Sequence, residues 1–257
     1  MPSGKNSKSA RNVRSVMKAT RPTPWPTIAA VVAIVIFAGA VFGFLYMRFD
    51  EGRDQREALA PYTPTAENQD PSRQIPGVTI KDYEGSRHVA PDQRVAYDRS
   101  PPFGGPHDAI WAACDGAVYE QPVRTENMVH SLEHGAVWIT YNPQQVSGEA
   151  LASLRERVEG QSYTMLSPYP GLDSPVSLQS WGHQLKVDSA SDPRIDQFIT
   201  ALRLNQYTYP EVGATCEIPV ENFDPADPPP FNPAPPGPGA VGMDYSGGRG
   251  AGPMGGG

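Results

Sequence analysis

Apolar and polar positions divide this chain into stretches of unlike character. The first apolar stretch, residues 27–47, is unbroken and carries no charge. About 20 consecutive apolar residues are what a helix needs to cross the hydrocarbon core of a bilayer, so 27–47 predicts a transmembrane helix. Trp25 and Tyr46 bracket it as interfacial aromatics. A cleaved signal peptide would have a shorter apolar region ending at small residues. Here the span runs on into Tyr46-Met47-Arg48-Phe49, which favours an uncleaved anchor. Gly39 and Gly43 form a Gly-x-x-x-Gly pair of the kind that can pack a second helix, although glycine is common in such spans.

Residues 48–74 are polar and read as a spacer. Its first ten residues can continue the helix, and Pro61, Pro64 and Pro71 then break it. From residue 75 the pattern changes to short segments. Residues 77–83 predict a short strand, and 88–89 and 95–97 flank a turn. Residues 117–120 are strand-like, and 125–134 predict a short helix with Thr125 as N-cap and Gly135 as its left-handed end. The run Ala136-Val137-Trp138-Ile139-Thr140-Tyr141 predicts a buried strand that stops at Asn142-Pro143. Residues 147–158 predict an amphipathic helix through Leu151, Leu154 and Val158. Strands follow at 163–167 and 176–181, with 184–187 extending or pairing with the second. Residues 193–204 predict another amphipathic helix, with Ile195, Phe198, Ile199 and Leu202 on one side. The order points to an α+β fold: one small mixed-sheet domain with two packed helices over residues 75–218. Residues 219–257, Pro-rich and then Gly-rich, cannot build a core and predict a disordered tail.

Charge refines this picture. The net charge of −7 conceals an asymmetry, because residues 1–26 hold six bases and no acid. They read as a disordered cytoplasmic tail, and the positive-inside rule puts the N-terminus in the cytoplasm and the rest outside. The remainder is strongly acidic, which argues against nucleic acid as a partner. The chain thus predicts a single-pass plasma-membrane protein with an extracytoplasmic domain. Cys114 and Cys216 are the only cysteines. In an oxidising compartment an even pair reads as a disulfide, here closing a loop worth roughly 4 to 5 kcal/mol in the chain-entropy model. A thiol metal or redox pair is the alternative, disfavoured because no Cys-x-x-Cys occurs.

The candidate chemistry lies in the histidines. There are five, His88, His107, His130, His134 and His183, all within the folded region. Two fall in His130-Ser131-Leu132-Glu133-His134. On a helix, histidines four apart share a face and can hold Zn²⁺, with Glu133 activating water, as in inverted zinc proteases. The predicted helix is short for that role, and Glu133 is a weak catalytic candidate. Extended or turned, the segment can still converge with His88 and His107 on one copper or zinc ion, with Met128 or Met165 favouring copper by softness. The alternative is that these histidines and Glu133 bond one another and the backbone, pinning loops without a metal. His183 reads as an ordinary strand or turn residue.

The loop Pro101-Pro102-Phe103-Gly104-Gly105-Pro106-His107 and the element Val129-His130-Ser131-Leu132-Glu133-His134-Gly135-Ala136-Val137 together resemble a bacterial family, domain of unknown function 3105. The resemblance covers about residues 75–216. It implies one membrane anchor and one outer domain, frequent in actinobacteria, and no established activity. Three functions are therefore expected in order. The first is metal handling, without catalysis, through His88, His107, His130 and His134 near Glu133. The second is a non-enzymatic accessory role with a partner in the cell envelope. The third is metal-dependent hydrolysis.

Overall fold

The computed structural model describes residues 24–245; residues 1–23 of the basic tail expected over 1–26, and the Gly-rich end from 246, lie outside them. The chain divides into two units, residues 1–54 and 55–257.

The apolar run forms the helix α1 (Trp25–Leu59). Its side chains, Ile36, Phe37 and Phe42 among them, are exposed, as suits a lipid-facing span. Among the described residues this is the one helix long and apolar enough to cross a membrane. It outruns the expected span, and an Asp50–Arg53 pair one turn apart, 2.9 Å between charged atoms, lies in the polar extension.

In the second unit, a six-stranded mixed sheet forms the frame. In sheet order it runs β1 (Thr79–Ile80), β8 (His183–Val187), β7 (Val176–Ser180), β5 (Val137–Tyr141), β6 (Thr164–Pro168) and β4 (Asp115–Val118). β5 lies at its centre, parallel to β6 and antiparallel to β7. Both its faces are buried, which explains its near-continuous apolar sequence. Val137, Ile139 and Tyr141 face a cluster that includes Leu154 of α3 (Gly148–Glu156) and Ile195, Phe198 and Leu202 of α4 (Arg194–Leu202). Trp138 faces the other way, into a second cluster with Met128, Val129 and Leu132 of α2 (Thr125–Glu133). The domain is α+β, as expected. The 176–187 region resolves into a hairpin, β7 and β8 joined through Trp181-Gly182 with Gly182 in the left-handed region.

A separate parallel pair, β2 (His88–Val89) and β3 (His107–Asp108), sits beside this sheet, with His88 in register with His107. Residues 101–108 are buried throughout. Buried backbone needs partners, and this loop finds them: Gln184 donates to the Pro101 carbonyl at 2.7 Å, Gly182 N–H to Phe103 at 2.7 Å, and the Tyr97 hydroxyl to Pro106 at 2.8 Å. Gly105, at φ +100°, admits Met243, which a side chain there would strike.

Two expectations change. Thr125 is the first residue of α2 rather than its N-cap; Arg124 holds the cap position and makes no side-chain cap bond. More consequentially, the segment from 219 does not leave the domain before Tyr245. Phe223 is 2% exposed and Val241 8%. Arg124 N–H donates to the Pro229 carbonyl at 2.7 Å, Phe231 N–H to Pro122 at 3.2 Å, and Ala96 N–H to Val241 at 2.8 Å. Such a segment builds no core of its own. Its proline carbonyls still accept hydrogen bonds, and a few aromatic anchors insert into a core that already exists. Tyr62, Pro71 and Ser72 of the presumed spacer also pack onto this unit.

Phe223→Ala in the full chain is expected to cost about 3 kcal/mol, the usual range for removing a buried phenylalanine, and to lower the melting temperature by several degrees. An unchanged melting curve would mean that the Pro-rich segment contributes nothing to the fold.

Candidate metal centre

α2 is amphipathic in an unusual sense: both its faces are buried. Met128, Val129 and Leu132 enter the apolar cluster, while Glu126, Asn127, His130 and Glu133 form a buried polar stripe. That stripe is stitched to the chain after β3. Asn127 donates to the Ile110 carbonyl and Ser131 to Ala112, each at 2.7 Å, and Ala112 N–H donates to Asn127 at 3.1 Å. Arg124 pairs with Asp108. These bonds hold β3 against α2 and so bring His107 to His130.

His88, His107, His130 and Glu133 each offer a ligand atom, and the four atoms lie within 4.8 Å of one another. The rings crowd together. His88 stacks on His130 at 5.0 Å between centroids, and His107 and His130 lie 4.7 Å apart. Parallel pairing puts His88 and His107 side by side, with side chains on one face of the ladder.

The hydrogen bonds set which nitrogen of each ring is free. His107 Nδ1 meets the Gly105 carbonyl at 2.8 Å, and His130 Nδ1 meets the Asp108 carbonyl at 2.7 Å. A carbonyl only accepts, so both Nδ1 atoms carry the proton and donate it. The Nε2 atoms are left facing inward. His107 Nε2 stands 2.8 Å from Glu133 Oε2, both wholly buried. The pair is close enough for a hydrogen bond but is not aligned as one, and both atoms lack a hydrogen-bond partner, as does His88 Nε2. Two acceptors facing each other in the protein interior are reconciled by a proton or a metal ion between them. Backbone carbonyls holding Nδ1–H are what orient imidazole ligands in metal proteins.

Electrostatics agree. Burial drives His130 far below the usual imidazole range, helped by His107, His134 and His88. Burial and His107 also lower His88, against the pull of Glu133, Glu211 and Asp108. Both rings are therefore held neutral, the form that binds metal. Glu133 is positioned by its second oxygen, which accepts the Ser86 N–H at 2.6 Å. Gly85 must be glycine here, since a Cβ would collide with that carboxylate and lie 2.8 Å from Pro210.

His134 belongs to a second group, with His130 and Glu211, again within 4.8 Å. Its Nδ1 donates to the Thr215 carbonyl at 2.7 Å, and its Nε2 faces Glu211 Oε2 at 3.2 Å. The hydrogen bond from His134 holds the Glu211 carboxyl below its usual range, overcoming its burial. The segment bearing Thr215 is tied down by the disulfide between Cys114 and Cys216, whose Cα atoms lie 4.9 Å apart. Glu211 escaped sequence reasoning because it lies 77 positions beyond His134 in a Tyr-Pro-Glu context with no histidine near. The one signal toward it was Cys216, which returns its segment to Cys114.

The zinc-protease roles are reproduced only in part: His130 and His134 do group as ligand candidates, with Glu211, but Glu133 is fully buried and groups with His88, His107 and His130 instead of standing free to serve water. The methionines do not soften the site either. Met128 and Met165 are wholly buried in the apolar cluster, Met128 on the face of α2 away from His130. His183 stands apart, donating Nδ1–H to Trp181 at 2.7 Å with Nε2 on Asp70 at 3.3 Å. It lines a cleft of about 660 Å³ with Lys81, Tyr83 and Tyr207, and none of the four clustered histidines does.

A family model described as "Protein of unknown function (DUF3105)" matches residues 88–218, just over half of the chain. No curated protein and no solved structure matches.

The Asp70–His183 pair predicts a pH dependence. Burial pushes the Asp70 carboxyl up, but hydrogen bonds from His183 and Ser72, with the charges of His183 and Arg73, outweigh it and hold the group below its usual range. A lowered carboxyl stabilises the fold above its unfolded pKa of about 4, and that contribution fades as pH falls through the lower folded value. Urea unfolding should therefore show Asp70→Asn less stable than wild type at pH 7, with the gap closing as the pH drops below about 4. A gap that is constant with pH would exclude the ion pair as its cause.

Proposed function

The chain belongs to the DUF3105 family, and on that premise we propose that its domain binds one divalent transition-metal ion, zinc or copper. The ligands are His88, His107, His130 and Glu133, and the ion is held rather than used in catalysis. One observation carries the reading: His107 Nε2 and Glu133 Oε2 face each other at 2.8 Å in the interior, both without a hydrogen-bond partner. Two further imidazoles stand within reach of the same point. Three imidazoles with a carboxylate suit zinc or copper(II), and the burial of both candidate methionines elsewhere removes the argument for a softer, copper(I) preference. Burial of Glu133, with one oxygen on the Ser86 N–H, favours a fixed ligand over a general base serving water.

In this reading α1 anchors the chain, with the N-terminus cytoplasmic, and the metal domain lies in the oxidising space outside. The apolar length of α1 and the disulfide support that placement.

The test uses the full chain in detergent, purified without a polyhistidine tag. Elemental analysis and titration with zinc and copper should find one tightly held ion per chain. Glu133→Gln should weaken binding by about 10- to 100-fold, and His107→Gln or His130→Gln by at least as much. An ion at one hundred times its Kd adds about 2.7 kcal/mol to stability, so chelation should lower the melting temperature of wild type and leave His130→Gln unmoved. A wild-type chain that binds neither metal would reduce the cluster to a structural network.

A further inference from the structure

We propose that His130, His134 and Glu211 form a second, outer metal station through which the inner ion is loaded and released, with His130 as the ligand common to both. This rests on the metal-binding reading above and adds the route by which the ion travels.

The two ligand groups overlap at one residue. His130 can lend only Nε2, because its Nδ1 is spent on the Asp108 carbonyl, and an imidazole nitrogen offers one lone pair. Both stations therefore cannot hold a fully ligated ion at once. The outer one completes its set of three only when the inner one gives up His130, which describes successive positions of one ion rather than a two-metal centre.

Exposure sets the direction. The Glu211 side chain is 33% exposed, His134 4%, and Glu133 and His107 are fully buried. Glu211, His134 and the buried His107–Glu133 pair thus form one path inward from solvent, while His88 of the inner set is itself only half-buried. The stations are also coupled through the backbone: Glu211 N–H donates to the Glu133 carbonyl at 3.2 Å, so the two carboxylates sit on segments bonded to each other. Pro210 packs where a Cβ on Gly85 would fall, closing the same corner. His134 is oriented as the inner histidines are, by a backbone carbonyl on Nδ1, with its Nε2 turned to the carboxylate. An ion pair made only for stability does not require a second imidazole nitrogen within 4.8 Å.

The transfer is a ligand exchange with no change of oxidation state. Bonds from the ion to His134 Nε2 and Glu211 break as bonds to His107 Nε2, His88 and Glu133 form, while His130 Nε2 stays bound. The proton between His134 Nε2 and Glu211 leaves to water as the ion takes the outer station and is regained from water when the ion moves on; a proton shared between His107 and Glu133 leaves to water as the ion reaches the inner one. Release runs the same steps backwards.

The experiment follows zinc exchange in the full chain by stopped flow, using a chromophoric chelator. A carboxylate at the mouth of a path raises cation on-rates by tenfold or more, so Glu211→Gln should slow loading and release about tenfold each while the equilibrium Kd stays within about threefold. His134→Gln should do the same, whereas Glu133→Gln should weaken the Kd. Unchanged exchange rates in Glu211→Gln would overturn the route and leave the inner site standing. A loss of affinity matching that of Glu133→Gln would also overturn it, by making Glu211 a ligand of the held ion. A wild-type chain that takes up no zinc overturns the inner site and the route together.

Discussion

Much of this domain is arranged around one uncomfortable contact, His107 Nε2 against Glu133 Oε2 at 2.8 Å with water excluded. Two facing acceptors in a protein interior cost free energy unless something positive lies between them. The surroundings hold both groups in that position. The Gly105 carbonyl turns one ring, the Ser86 N–H fixes the carboxylate, and Gly85 leaves the space the carboxylate needs. A site under that much constraint is already organised, so an ion bound there would spend little on ordering it.

The means of bringing the groups together is economical. A two-residue parallel ladder puts His88 beside His107, and the residue after His107 lends its carbonyl to His130. The polar stripe of α2 is bonded along its length to the chain following β3. The far end of the domain is drawn in by the disulfide, which delivers Thr215 and Glu211 to His134. Central strand β5, buried on both faces, supplies the rigid floor beneath α2, because Trp138 packs in the same cluster as Met128 and Leu132.

Several features were legible in the residue pattern. The apolar run became α1, the alternation of apolar positions became α3 and α4, and Gly135 took the left-handed conformation that ends α2. The loop of residues 101–107 is held by bonds from Gln184, Gly182 and Tyr97, which come from segments distant in sequence or outside the loop. The Pro-rich segment misled, because composition reports whether a stretch can form its own core and not whether it can dock on another. Phe223 and Val241 are scattered apolar positions with no period, and their burial depends on cavities made by distant residues.

The sequence by itself determined the membrane-length helix, the α+β class, the cysteine pair and the two segments where histidine chemistry resides. Each of these is local, set by spacing within a few residues or by composition. Only the tertiary structure decided that His130 joins His88, His107 and Glu133 while also facing His134 and Glu211, and that the methionines point elsewhere. The physical reason is range. A helix relates residues three and four apart and a strand residues two apart, which covers His130, Glu133 and His134 on α2, whereas partners from other segments lie 19 or more positions away, as far as 81 for His134 and Thr215. Their meeting depends on strand register, on the disulfide and on which backbone carbonyl claims each Nδ1 proton.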